Sequence, residues 1–191
     1  MKKARIIKIV SNRYEVLDED KQRFICVAMG KLRKAKSPVV GDMVEIEHYD
    51  DRWAIERVLA RKNELIRPSI ANVDQAIIVM SAKDPDFSTT LVDRLIFQVV
   101  YANIQPILCF TKMDLVEKDD PIYAQIEDYR KSGYALYLSG KGYDDDKLVC
   151  ALQGKISVLC GQSGAGKSSL LNRIEPSFQL QTQEISKALG R

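Results

Sequence analysis

The chain is predicted to fold as two modules. Residues 1–67 suit an all-β barrel of the OB-fold type, and residues 68–191 suit an α/β domain built on a parallel sheet. Three observations predict this. The first third of the chain alternates with period two in short segments broken by turns. Beyond Asn72, continuous apolar segments alternate with stretches of helical spacing. Near the end, Gly161-Gln162-Ser163-Gly164-Ala165-Gly166-Lys167-Ser168 fits G-x-x-x-x-G-K-[ST] between an apolar strand and a helix start, the context a phosphate-binding loop requires.

Composition bounds the possibilities. The 191 residues, 46% hydrophobic and 29% charged, suffice for one large or two small domains. No apolar run approaches the roughly 18 residues of a membrane span, so no membrane partner is expected. Arg5 and Lys8 interrupt the segment after Met1-Lys2-Lys3, which leaves no signal-peptide core. Cys26, Cys109, Cys150 and Cys160 form no C-x-x-C pair and read as reduced thiols of a cytoplasmic protein. The net charge of +3 is unevenly spread: residues 1–67 hold 16 Lys/Arg against 11 Asp/Glu, and residues 68–191 hold 13 against 15. That makes the front module basic and the remainder slightly acidic.

In the front module, residues 5–10 and 13–17 read as strands, with Asp18-Glu19-Asp20 turning after the second. Residues 23–28, 43–47 and 53–58 supply three more, with a turn at 38–41. Five short strands suit an OB-fold. Between the third and fourth lies a loop carrying Lys31, Arg33, Lys34 and Lys36. Such a run either grips nucleic-acid phosphates or is simply a solvated loop. On this kind of barrel, RNA is the expected ligand. His48, the single histidine, falls in the barrel and is expected to have no catalytic part.

Residues 63–72 connect the modules, with Pro68 breaking regular structure. Ala76-Ile77-Ile78-Val79-Met80 is a buried strand, and Leu91, Leu95, Ile96, Val99 and Val100 follow at helical spacing. Strands are predicted at 106–110, 135–138 and 156–160, and helices at 122–130, at 147–152 and from 169 onward. Sheets of this kind bind ligands at the carboxyl ends of their strands.

Three motifs fall at those ends. In the first, the backbone N–H groups from Gly161 to Gly166 can curl around phosphate oxygens, and the N-terminus of the helix that starts at Ser169, just after Lys167 and Ser168, adds partial positive charge. Lys167 is expected on the β- and γ-phosphates, and the Ser168 hydroxyl on Mg²⁺; these two are the candidate catalytic residues. In the second, Thr111-Lys112-Met113-Asp114, the carboxylate can accept from N1–H and the 2-amino group of guanine, a donor pair that adenine lacks. The Lys112 stem can lie along the purine plane. In the third, Ser139-Gly140-Lys141, backbone N–H groups can meet the base O6, although a plain glycine turn explains that segment equally well. The guanine motif precedes the phosphate loop, the reverse of the usual order. The loops of one sheet edge tolerate such a permutation.

With a barrel in front and these motifs in permuted order, essentially the whole chain resembles the circularly permuted, small-ribosomal-subunit-dependent GTPases, the RsgA family. The resemblance implies binding of GTP and GDP with Mg²⁺, hydrolysis of GTP, docking of the barrel on ribosomal RNA of the small subunit, and a monomer. Thr111 stands where most GTPases have Asn, which is expected to weaken one hydrogen bond to the phosphate loop. The family's chain continues through a switch, a D-T-P-G segment and a Cys/His zinc domain. This sequence reaches Leu189-Gly190-Arg191 with no D-x-x-G after the phosphate loop. A truncated chain is therefore expected, with its GTPase domain incomplete at the C-terminus and zinc confined to the missing segment. Such a chain would have an unpaired edge on the phosphate-loop strand, weak anchoring after Ile174 and little hydrolysis. Two other readings stand beside this one: an RNA-binding module with a passive guanine-nucleotide sensor, and a P-loop ATPase or small-molecule kinase, against which Asp114 argues.

Overall fold

The structure, a computed structural model, describes residues 1–29, 32 and 37–181. It divides into two compact units, Met1–Val73 and Asp74–Arg191. In the first, strands β1 (Lys2–Val10), β2 (Arg13–Asp18), β3 (Arg23–Ala28), β4 (Met43–Tyr49) and β5 (Arg52–Val58) close a barrel in the order β1-β2-β3-β5-β4. The β3–β5 pair is parallel and the rest are antiparallel. Period-two alternation sends Ala4, Ile6, Tyr14, Val16, Val44 and Ile46 inward, where they pack with Cys26 and Ile55. Register shifts at Ile6/Lys8 and Glu45/Ile46 supply the local bends that closure needs. This is the OB-like barrel expected from the sequence. His48 sits on the exposed end of β4, its ring 5.1 Å from that of Trp53.

The connector belongs to the barrel. β6 (Glu64–Leu65) pairs with β7 (Ile70–Ala71). The Arg61 guanidinium forks onto the fully buried Asp42 at 2.7 and 2.8 Å and reaches Glu64 at 2.6 Å. The Asn72 side chain donates to the Gly41 carbonyl at 3.0 Å and accepts the Lys62 N–H at 2.8 Å. The Asn63 amide pairs with both backbone groups of Val73. These bonds hold residues 68–73 in the barrel unit, although the sequence pattern places the boundary at 67.

In the second unit, β8 (Gln75–Ser81), β9 (Gln105–Thr111), β10 (Ala135–Leu138) and β11 (Ser157–Cys160) form a parallel sheet in the order β10-β9-β8-β11. The helices are α1 (Thr89–Tyr101), α2 (Ile122–Lys131), α3 (Asp146–Leu152) and α4 (Lys167–Ile174). Every residue of β8 is buried, which is why it reads as one apolar run. Ile77, Val79, Ile107 and Cys109 pack one face onto Leu148 of α3 and Leu170 of α4. On the other face, Phe110 meets Phe87 and Tyr129 of α2.

The chain steps outward from β8 to β9 to β10, then crosses back to β11 on the far side of β8. Right-handed crossovers running in opposite directions put α2 and α3 on opposite faces. The order therefore reverses between β8 and β11, the place where such sheets open a binding crevice. Among the described residues β11 pairs only with β8, so its other edge is open, as expected. The segment after Ile174 differs from expectation. A 3-10 turn spans Pro176–Phe178, and the Asn172 side chain bonds both backbone groups of Leu180 at 2.8 Å. A local amide clamp does here what a sheet neighbour would otherwise do.

Candidate functional site

The loops following β9, β10 and β11 converge at the carboxyl edge of the sheet. After β11, Gly161 cannot carry a side chain, because a Cβ there would fall on the Val79 carbonyl oxygen. Gly164 and Gly166 hold left-handed φ values of 78° and 85°, the backbone turn that points successive N–H groups into one concavity. Ala165 is buried in the core, and the Leu170 N–H donates to the Gly166 carbonyl at 2.8 Å, opening α4. The half-buried Lys167 ammonium donates to the carbonyls of Gly161 at 2.9 Å and Gln162 at 2.7 Å, so it folds back over the loop. Burial pulls its pKa below the usual lysine value. Ser168 is half-buried in the first turn of α4, Gln162 is half-buried, and Ser163 and Ser169 are exposed.

The guanine motif is bound to this loop. Thr111 is 4% exposed, and its hydroxyl donates to the Ala165 carbonyl at 2.6 Å. The strand end brings the short threonine hydroxyl within direct reach of the phosphate loop. Lys112 adopts φ 57°, and its ammonium donates to the Asp84 carbonyl in the loop after β8. Met113 is buried and Asp114 exposed in the 3-10 turn Met113–Leu115. Asp114 Oδ1 accepts the Lys141 N–H at 3.0 Å. The Met113 N–H donates to the Ser139 carbonyl at 3.2 Å, and the Ser139 N–H to the Phe110 carbonyl at 2.8 Å. A Cβ at Gly140 would meet Asp114 Oδ1 and force that carboxylate to shift. The weak Ser139-Gly140-Lys141 motif is thus joined to Asp114.

Sequence reasoning missed two participants. The fully buried Ser139 hydroxyl donates to Asp145 Oδ1 at 2.6 Å and accepts from the Arg173 guanidinium. Arg173 Nε donates to Asp145 Oδ2 at 2.8 Å. Asp145 precedes α3 and Arg173 lies in the last turn of α4. In sequence they are ordinary helix-end residues, and nothing local says that they meet.

Among the described residues, no group of three or more His, Cys, Asp or Glu could hold a metal. The loop does fit Mg²⁺ in the nucleotide-bound form. Ser168 offers one hard hydroxyl oxygen at a helix start, and this ion takes its remaining oxygens from phosphate and water. Lys31, Arg33, Lys34 and Lys36 lie outside the described residues. No helix among the described residues is long and apolar enough to cross a membrane.

The sequence matches the family profile for the RsgA GTPase over residues 58–191 and that for the RsgA N-terminal domain over residues 3–55. It is 47% identical to the small ribosomal subunit biogenesis GTPase RsgA of Bacillus subtilis, aligning over 100% of this chain and 67% of that protein. It is 46% identical to the small ribosomal subunit biogenesis GTPase RsgA 2 of Oceanobacillus iheyensis, with the same coverage. Two solved structures are similar. YloQ, a circularly permuted GTPase, matches 93% of this chain and 65% of its own at 46% identity and TM-score 0.74. YjeQ from Thermotoga maritima matches 95% and 68% at 35% identity and TM-score 0.81. The chain therefore spans about two thirds of the length of these relatives.

Proposed function

The chain belongs to the RsgA GTPase family, and on that premise we propose that it is a guanine-nucleotide-binding protein of small ribosomal subunit biogenesis. Its phosphate loop takes GTP or GDP with Mg²⁺, its barrel docks on ribosomal RNA of the small subunit, and hydrolysis of GTP times release. It works in the cytoplasm as a monomer, and we assign no residue of this chain to zinc. The observation that carries the nucleotide reading is the bond from Thr111 to Ala165, which ties the T-K-M-D loop to the phosphate loop.

The geometry supports the following residue roles. Lys167 exchanges two loop carbonyls for phosphate oxygens, and the backbone N–H groups between Gly161 and Lys167 hold the β-phosphate. The Ser168 hydroxyl is the protein ligand for Mg²⁺, which when bound neutralises charge on the β- and γ-phosphates. Asp114 Oδ2, without a hydrogen bond among the described residues, accepts from the base, while Oδ1 keeps the Lys141 N–H and so holds the loop that meets O6. No D-x-x-G follows the phosphate loop within these 191 residues. That favours a second reading of the chain as it stands: an RNA-binding module whose nucleotide unit binds GTP and GDP but turns over slowly. The test is a titration with fluorescent GDP competed by GTP, GDP and ATP. Competition by both guanine nucleotides and not by ATP is expected; equal competition by ATP would sink the guanine assignment.

A further inference from the structure

The hydrogen-bonded ring of Ser139, Asp145 and Arg173 joins the two halves of the proposed nucleotide site. We propose that Arg173 is a positioning residue that couples phosphate binding to guanine selection. The inference rests on the guanine-nucleotide reading above and names a residue that reading does not use. Helix α4 starts at Lys167 and carries Arg173 in its last turn, so one rigid element holds both the phosphate lysine and this guanidinium. Arg173 serves two acceptors at once, Asp145 Oδ2 at 2.8 Å and the Ser139 hydroxyl, from different nitrogens of one rigid planar fork, a fixed geometry that a flexible ammonium does not reproduce.

Ser139 is fully buried and holds the base loops from both sides. Its hydroxyl is fixed on Asp145 at 2.6 Å, its N–H on Phe110 and its carbonyl on Met113. Two residues later the Lys141 N–H sets the Asp114 carboxylate. Every link from α4 to the base-reading carboxylate is therefore a hydrogen bond or a stretch of two residues. The Asp145 side chain is only 13% exposed, so the ring is partly shielded from water and its bonds are strengthened accordingly.

The experiment compares GDP with IDP, which lacks the 2-amino group, on the intact 191-residue chain. In the wild type, the GDP-to-IDP affinity ratio measures base reading. Arg173→Ala should shrink that ratio about fivefold to tenfold, the size of a typical coupling between sites, while IDP affinity stays nearly constant. Ser139→Ala leaves the Arg173–Asp145 pair in place and should shrink the ratio similarly, which keeps the test open if Arg173→Ala folds poorly. Arg173→Lys, which keeps the charge but lacks the fixed fork, should restore only part of the ratio. An unchanged ratio, or GDP and IDP weakening in parallel, would overturn the proposal and leave the ring as scaffolding. A wild type without preference for GDP over IDP would instead overturn the guanine reading itself, and this inference with it.

Discussion

The Lys167 ammonium rests on the carbonyls of Gly161 and Gln162. In the proposed nucleotide complex it would exchange them for charge-assisted bonds to phosphate, each worth about 1.5–3 kcal/mol. Lys167→Ala should therefore weaken GDP at least ~10-fold without unfolding the unit, and unchanged affinity by equilibrium titration would remove the phosphate-loop assignment. At Asp114 the chemistry is a choice of donor. In Asp114→Asn, Oδ1 still accepts from Lys141, but the amide nitrogen donates where a carboxylate oxygen accepted. Binding should switch from guanosine toward xanthosine diphosphate, the preference moving by about two or more powers of ten; a variant that still prefers GDP would refute the role. The buried thiols set an alkaline limit. Burial raises Cys26 and Cys160 from 9.0 to about 11, and Cys109 to about 12. Their protonated forms are favoured in the fold, so their contribution is full below pH 9 and is lost as pH rises through 11–12. Urea midpoints should fall across that window. A midpoint curve that replacing Cys26, Cys109 and Cys160 together by Ala leaves equally steep would clear the thiols of responsibility.

At the level of elements, the parallel sheet positions the chemistry by exchanging direction once. Strands β9 and β10 lie to one side of β8 and β11 to the other, so the guanine motif and the phosphate loop share one edge although 54 positions separate Thr111 from Ala165. Permutation costs this arrangement nothing, because the edge is defined by strand direction and not by the order of visits. Among the described residues one edge of β11 has no strand partner, a feature that proteins usually cover or blunt. Between β3 and β4 in the sequence lies the basic run. If it grips RNA, replacing Lys31, Arg33, Lys34 and Lys36 together by Ala should flatten the salt dependence of ribosomal RNA binding. The expected change is up to roughly 0.9 in log–log slope for each duplex phosphate that is no longer neutralised. Filter binding across a salt series measures it, and an identical slope would make the run a solubilising loop.

For the molecule as a whole, the prediction is that the polypeptide of residues 1–191, with no D-x-x-G after its phosphate loop, binds GDP and hydrolyses GTP negligibly. A single-turnover assay on these 191 residues, with the small ribosomal subunit added, decides it; hydrolysis stimulated by the subunit would mean that the chemistry lies within them after all. The sequence alone determined the fold class, a barrel followed by a parallel-sheet domain, with its strand and helix periods, and it displays the motifs proposed to hold phosphate and guanine. Each of these is written in neighbouring residues: alternation by two, apolar runs, glycines where the backbone must turn, and a lysine and a carboxylate at strand ends. Tertiary structure alone decided that Thr111 binds the phosphate loop and that Ser139 meets Arg173 from 34 positions away. It also decided that Asn72 and Val73 belong to the barrel through Gly41 and Asn63. Those bonds join residues distant in the chain, and a polar bond between distant residues leaves no period or spacing to read until the sheet brings its ends together.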